Sequence, residues 1–191
     1  MLYWLQTEAP RADGGKGYPE LKLRPDITGT DDGFAMHPYI RESRRIKALQ
    51  TVVEEDINAD LRGGAGIKTL ENSVGIGAYR IDLHPTTKSN RLFYAKSYPF
   101  EIPLGSLIPV RIKNLIPACK NIGTTQVTNG GFRVHPGEWN IGEAAGTLAA
   151  FSINSDISLH EIYNSPDRIK EYQSLLVDRG ISLHWPEITT I

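Results

Sequence analysis

Glycine and proline limit how far any regular element can run in this chain of 191 residues. There are 18 glycines and 12 prolines, about one residue in six, where about one in eight is usual. Proline cannot sit inside a helix without breaking it, and an interior glycine costs about 1 kcal/mol relative to alanine. The pattern therefore predicts many turns and few long helices. It is densest at residues 6–32, which read as a loop with at most one short strand near residues 21–23. Residues 1–5 form an apolar run with no basic flank, too short for the core of a signal peptide. A self-sufficient domain rarely opens on so long an irregular stretch. Either it is a flexible arm, or the chain begins in the middle of a larger protein.

Charge narrows the classes further. Lys and Arg number 21, Asp and Glu 22, for a net charge of −1. That balance argues against nucleic acid or anionic lipid as the main partner. A hydrophobic content of 40% with 23% charged residues is that of a globular protein. No apolar run approaches the roughly 20 residues of a membrane span. The single cysteine, Cys119, cannot make an internal disulfide, and no Cys/His cluster suggests a metal.

The middle of the chain reads as short strands. Residues 44–53 are β-branched and alternating, which predicts a strand with a helix as the alternative. Residues 75–83 alternate apolar and polar positions and stop at Pro85. Residues 92–94 and 100–102 are two more short strands, and Pro103, Pro109 and Pro117 punctuate apolar runs at 104–110 and 115–119. Two helices follow. Residues 139–152 are Ala-rich, with Gly142, Ala145, Gly146 and Ala149 at helical spacing. Such a helix approaches another backbone or a ligand closely, offsetting the cost of its glycines. Ser165, Pro166 and Asp167 open the second helix as N-cap, first-turn proline and acid near the positive end, and Gly180 closes it. Short mixed or antiparallel strands with two C-terminal helices make an α+β fold.

Three constellations carry chemical potential. Gly130 to Gly146 is a glycine-rich turn with Arg133 and His135 that runs into a helix, whose free amides and positive dipole end suit an anion or an electron-rich oxygen. The plainer reading comes first, a glycine-rich turn into a packed helix, with Asn140 or Glu138 as a cap. Asp82 and His84 share one face of a strand, where the carboxylate could orient the imidazole for acid–base work or simply close the strand end. Glu42, Ser43, Arg44 and Arg45 could bind a substrate anion through guanidinium forks, or form a solvated face. No phosphate-binding loop of the Walker type and no G-x-S-x-G elbow occur. A cofactor-free hydrolase using His84 or His135 is a remaining reading.

Five segments in order, residues 39–46, 79–85, 102–109, 114–121 and 133–146, resemble the C-terminal part of the FAD-dependent oxidoreductases. These are glutathione-reductase-like flavoproteins, some related to putative xanthan lyases. The resemblance covers residues 1–153, with the last helix and Trp185-Pro186 similar to the family's tail. It implies an α/β-derived FAD-binding fold, with residues 1–110 the remainder of a substrate domain and its return strands. Residues 111–191 would be the closing segment of the FAD domain. Residues 114–119 would be a late strand, bringing Lys120 and Asn121 near the ribityl and pyrophosphate of FAD. The backbone amides of Trp139, Asn140 and Ile141, beside Gly142, would meet the pyrimidine side of the flavin. Arg133, His135 and His84 would be catalytic, and Arg44 and Arg45 would hold substrate.

The family's N-terminal G-x-G-x-x-G unit occurs nowhere in the chain. The resemblance thus implies a C-terminal fragment of an oxidoreductase, whose parent passes electrons between a small organic substrate and FAD. Alone it is expected to hold FAD weakly or not at all, to be inactive, and to self-associate through the surface its missing half would cover. The alternative is a stand-alone, non-enzymatic domain binding a ligand or protein. The substrate, the reaction direction and the compartment stay open, the last leaning to the cytoplasm.

Overall fold

The structure is a computed structural model describing residues 1–37, 39–41, 44–86, 88 and 92–186. The chain divides into two compact units, Met1–Ile40 and Arg41–Ile191.

In the first unit the N-terminal apolar run becomes helix α1 (Leu2–Thr7), none of whose residues is buried. A turn sets Pro10 opposite Lys16 in a single antiparallel bridge, and the Arg11 guanidinium meets Asp13 at 2.9 Å. Gly17, at φ +74°, lies against the Gln6 carbonyl, where any Cβ would collide, so glycine alone lets the chain fold back on α1. A one-turn helix, α2 (Pro25–Thr28), follows. The strand expected at residues 21–23 does not form. The Leu21 carbonyl accepts instead from the Gln6 side chain at 2.6 Å, so the backbone there is satisfied without a ladder.

The second unit opens on extended chain. Residues 44–53 are neither the expected strand nor the alternative helix. Ala48 bridges Pro109, Val52 bridges Thr124, and Val110 N–H donates to the Lys47 carbonyl at 2.8 Å. The Ala48–Pro109 pairing goes no further on one side because Ile108 N–H turns back to the Gly105 carbonyl, at 3.4 Å, instead of meeting the Leu49 carbonyl. After the short α3 (Glu54–Ile57), strand β1 (Ser73–Gly77) pairs antiparallel with β4 (Phe100–Pro103), with Gly77 opposite Phe100. Strand β2 (Ile81–Leu83) pairs with β3 (Phe93–Ala95), with Asp82 opposite Tyr94. The single strand expected over residues 75–83 is therefore two strands in two sheets. The break falls where the Tyr79 carbonyl accepts from the Ser97 hydroxyl rather than from a neighbouring strand. The run at 104–110 begins as a buried 3-10 turn, Leu104–Leu107.

Four helices finish the unit. Helix α4 (Gln126–Phe132) replaces the expected glycine-rich turn. The Thr125 hydroxyl accepts from the Thr128 N–H at 3.1 Å, and the Thr128 hydroxyl accepts from the Thr125 N–H at 2.9 Å. Helix α5 (His135–Ser155) covers the expected 139–152 and begins four residues earlier. Helix α6 (Leu159–Asn164) is capped by Ser158. Helix α7 (Pro166–Asp178) starts on its predicted cap, with Ser165 accepting from Arg168 N–H. It ends at Gly180, φ +82°, whose N–H returns to the Val177 carbonyl at 2.8 Å.

Helix α5 packs on β1 and against α6 and α7, while α4 lies across β2. Val74, Ile102, Leu104, Ile141, Leu148 and Tyr172 meet in the core, each fully buried. The Tyr172 hydroxyl donates to the Ala144 carbonyl at 2.8 Å. Phe100 and Phe132 stack with ring centres 4.1 Å apart. The architecture is α+β. Position 110/111, expected to divide substrate-domain from FAD-domain sequence, falls inside this unit, where residue 110 pairs with residue 47. Among the described residues, no helix is long and apolar enough to cross a membrane.

Candidate functional site

Close packing of α4 on β2 assembles the first cluster. A Cβ on Gly130 would lie 2.9 Å from the Asp82 carbonyl oxygen and 3.0 Å from its nitrogen, so glycine allows helix and strand backbones to touch. At the end of α4 the chain turns, and Arg133, 9% exposed, reaches back. Its Nη2 donates to the Asp82 carbonyl at 2.6 Å. The Asp82 carboxylate in turn lies 3.2 Å from Nε2 of His84. Two of the expected catalytic residues, Arg133 and His84, thus converge on one aspartate. The imidazole is about one third exposed, whereas Asp82 is mostly covered. An oriented imidazole beside a carboxylate can accept or return a proton at its outer nitrogen.

The second cluster forms along the loop at residues 117–121. Residues 114–119 do not form the expected late strand; they run as irregular chain against α5. A Cβ on Gly142 would meet only the Ala118 carbonyl, at 3.4 Å. Lys120 Nζ lies 3.7 Å from Glu138, and Asn129, fully buried, donates to the Lys120 carbonyl at 2.7 Å. The Asn121 carbonyl accepts from Ile46 N–H at 3.1 Å, which seats the chain after Arg44 and Arg45 beside this loop. Although the residue is exposed, partial desolvation of its thiol holds Cys119 above its ordinary range, opposed by the Lys120 amide and reinforced by the neighbouring Glu138 carboxylate. Sequence reasoning missed Asn129 and Glu138 as organisers of this loop. Asn129 lies beside two glycines that mimic a turn, and Glu138 reads as a cap.

The start of α5 corrects one expectation. Trp139, Asn140 and Ile141 are inside the helix, because Glu138 N–H already donates to the Val134 carbonyl at 2.9 Å. The amides ahead of that bond belong to His135 and Gly137, Pro136 having none. Asn140 uses its side chain to hold β1, donating to the Ile76 carbonyl at 2.9 Å. Ile141 is core, and Trp139 is 72% exposed. His135 is exposed on the first turn. Arg44 is exposed, Arg45 partly covered, and Glu42 and Ser43 lie outside the described residues. Among the described residues, no group of three His, Cys, Asp or Glu side chains could hold a metal.

The sequence model of a family described as FAD dependent oxidoreductase matches residues 1–176. No curated protein and no solved structure matches the chain.

Proposed function

The chain belongs to the FAD dependent oxidoreductase family, and from that premise we propose that it forms the flavin-facing closing segment of such an enzyme. The observation that carries this reading is the convergence of Arg133 and His84 on Asp82, in a chain matched by the family over residues 1–176.

The chemistry of the donor set suits the ring end of the cofactor. The amides of His135 and Gly137 open a 21-residue helix whose dipole favours negative charge. Farther along α5 the helix surface is open at Gly146, where a Cβ would meet nothing within 4 Å. The buried Asn129 keeps its Oδ1 without a hydrogen-bond partner, an acceptor beside the Lys120 loop. The dinucleotide end is different: with no G-x-G-x-x-G in the sequence, adenine and pyrophosphate lack their usual cradle. A partner segment supplies that half, and the isolated chain is inactive.

Bound FAD supplies two-electron redox chemistry. In this reading Arg133 holds Asp82, Asp82 orients His84, and His84 exchanges a proton with the organic substrate at its outer ring nitrogen. Lys120 and Asn121 lie toward the ribityl chain, and Arg44 and Arg45 take an anionic group of the substrate.

The test is an FAD titration of the purified chain followed by tryptophan fluorescence, since Trp139 stands exposed on the second turn of α5. Weak, saturable quenching that falls at least several-fold in Lys120→Ala and His84→Ala is expected. Absence of saturable quenching, or identical curves for wild type and both variants, would overturn the proposal.

A further inference from the structure

Charge is segregated in this chain in a way its net value hides. Residues 43–53 and 102–137 contain no Asp or Glu, yet they hold seven of the Lys and Arg residues. The rest of the chain is correspondingly acidic. These two acid-free stretches are the ones the fold joins. Val110 N–H donates to the Lys47 carbonyl at 2.8 Å, Leu49 N–H to Ile108 at 2.9 Å, and Ile46 N–H to Asn121 at 3.1 Å. Arg45 and Lys47 therefore flank a residue bonded next to Lys120, while Arg111 directly follows the residue bonded to Lys47. Arg44, Lys47, Arg111 and Lys113 are exposed.

Few acids answer them. Lys120 meets Glu138, and Lys113 lies near enough to Glu161 to hold that carboxyl below its usual range, after the larger effect of the Ser158 hydroxyl and amide. Glu161 is committed to capping α6. Among the described residues, Arg44, Lys47 and Arg111 have no ion-pair partner. Like charges on segments that the fold joins repel, and a chain with 22 acids could have interleaved them. Single exposed ion contacts are weak, so a ligand gains from this ridge only by engaging several cations at once.

The geometry points to an oxyanion site on this ridge, formed by Arg44, Lys47, Arg111 and Lys113, for a small ligand carrying at least two phosphate or carboxylate groups. Arginine supplies planar forks that match either group, and lysine supplies point charges. The site shares Arg44 with the substrate-anion role proposed above, but Lys47, Arg111 and Lys113 lie outside that role, and the test uses Arg111 and Lys113 without flavin.

The experiment is calorimetric titration of the purified chain with pyrophosphate and, separately, with citrate, at low and at physiological salt. Binding of one or both is expected, weakening with salt, and falling at least tenfold in the double variant Arg111→Ala/Lys113→Ala. The preferred anion distinguishes a phosphate from a carboxylate ligand. A control double variant on α7, Arg168→Ala/Lys170→Ala, should bind as wild type. Because all these residues lie on the surface, circular dichroism should show each variant folded. Failure of both anions to bind at low salt, or equal binding by wild type and Arg111→Ala/Lys113→Ala, would overturn the assignment.

Discussion

Arg133 and His84 are held by opposite ends of the same residue: the guanidinium bonds the Asp82 carbonyl at 2.6 Å, and the imidazole meets the Asp82 carboxylate at 3.2 Å. The first contact is made by the backbone of β2, so its loss should loosen the strand as well as the site. Arg133→Met removes a charge-assisted bond to a covered carbonyl. It should lower the unfolding free energy by about 1.5–3 kcal/mol, read as a reduced urea midpoint with unchanged slope. An unchanged midpoint would mean that Arg133 does not fasten the end of α4 to β2.

Two glycines on neighbouring helices should respond in opposite directions. Gly130→Ala forces a methyl into the Asp82 backbone and should cost about 1–3 kcal/mol by overpacking. Gly146→Ala adds a methyl where nothing lies within 4 Å and should gain up to about 1 kcal/mol of helix propensity. Thermal unfolding of the two variants checks both signs.

Burial raises the Tyr172 phenol far above its ordinary pKa. Below about pH 10 the phenol is neutral in both folded and unfolded chains, and its contribution is fully present. Above that pH the unfolded chain ionises first, so stability falls as pH rises, by about 1.4 kcal/mol per pH unit for this one group. Tyr172→Phe should flatten the alkaline limb of a stability–pH profile by that slope. It also leaves the Ala144 carbonyl without the Tyr172 donor, so the variant should start lower at neutral pH.

Helix α1 buries none of its own residues, leaving Met1 98%, Tyr3 77% and Trp4 50% exposed. Apolar surface of this kind is usually covered by another molecule. Light scattering of the purified chain should show self-association that decreases in Tyr3→Glu/Trp4→Glu. A monomer at all accessible concentrations would contradict this.

What could be read from residues alone followed the strength of local signals. Helix α7 was legible because Ser165, Pro166, Asp167 and Gly180 all mark its ends. The body of α5 was legible from its small residues, but its start was not: His135, Pro136 and Gly137 resemble a turn, and Val134 offers no side-chain cap. Helix α4 was hidden by Gly130 and Gly131, residues chosen by contact with β2 rather than by helix propensity. Residues 44–53 make isolated bridges and not the expected strand, and their lack of a ladder depends on the 3-10 turn at Leu104–Leu107, more than 50 residues away and not visible in any local window. For the site, the Asp82–His84 pairing follows from strand alternation. The approach of Arg133 and the anchoring of Lys120 by Asn129 are long-range packing, which no spacing encodes.

The flavin-facing role without a dinucleotide cradle is decided most simply by cofactor retention. The purified chain is incubated with excess FAD, passed through gel filtration, and its visible flavin absorbance compared with its protein content. Far less than one FAD per chain is expected, because the ring-end contacts alone bind weakly and release during separation. Retention of about one FAD per chain would contradict it, since the chain would then carry a complete cofactor site by itself.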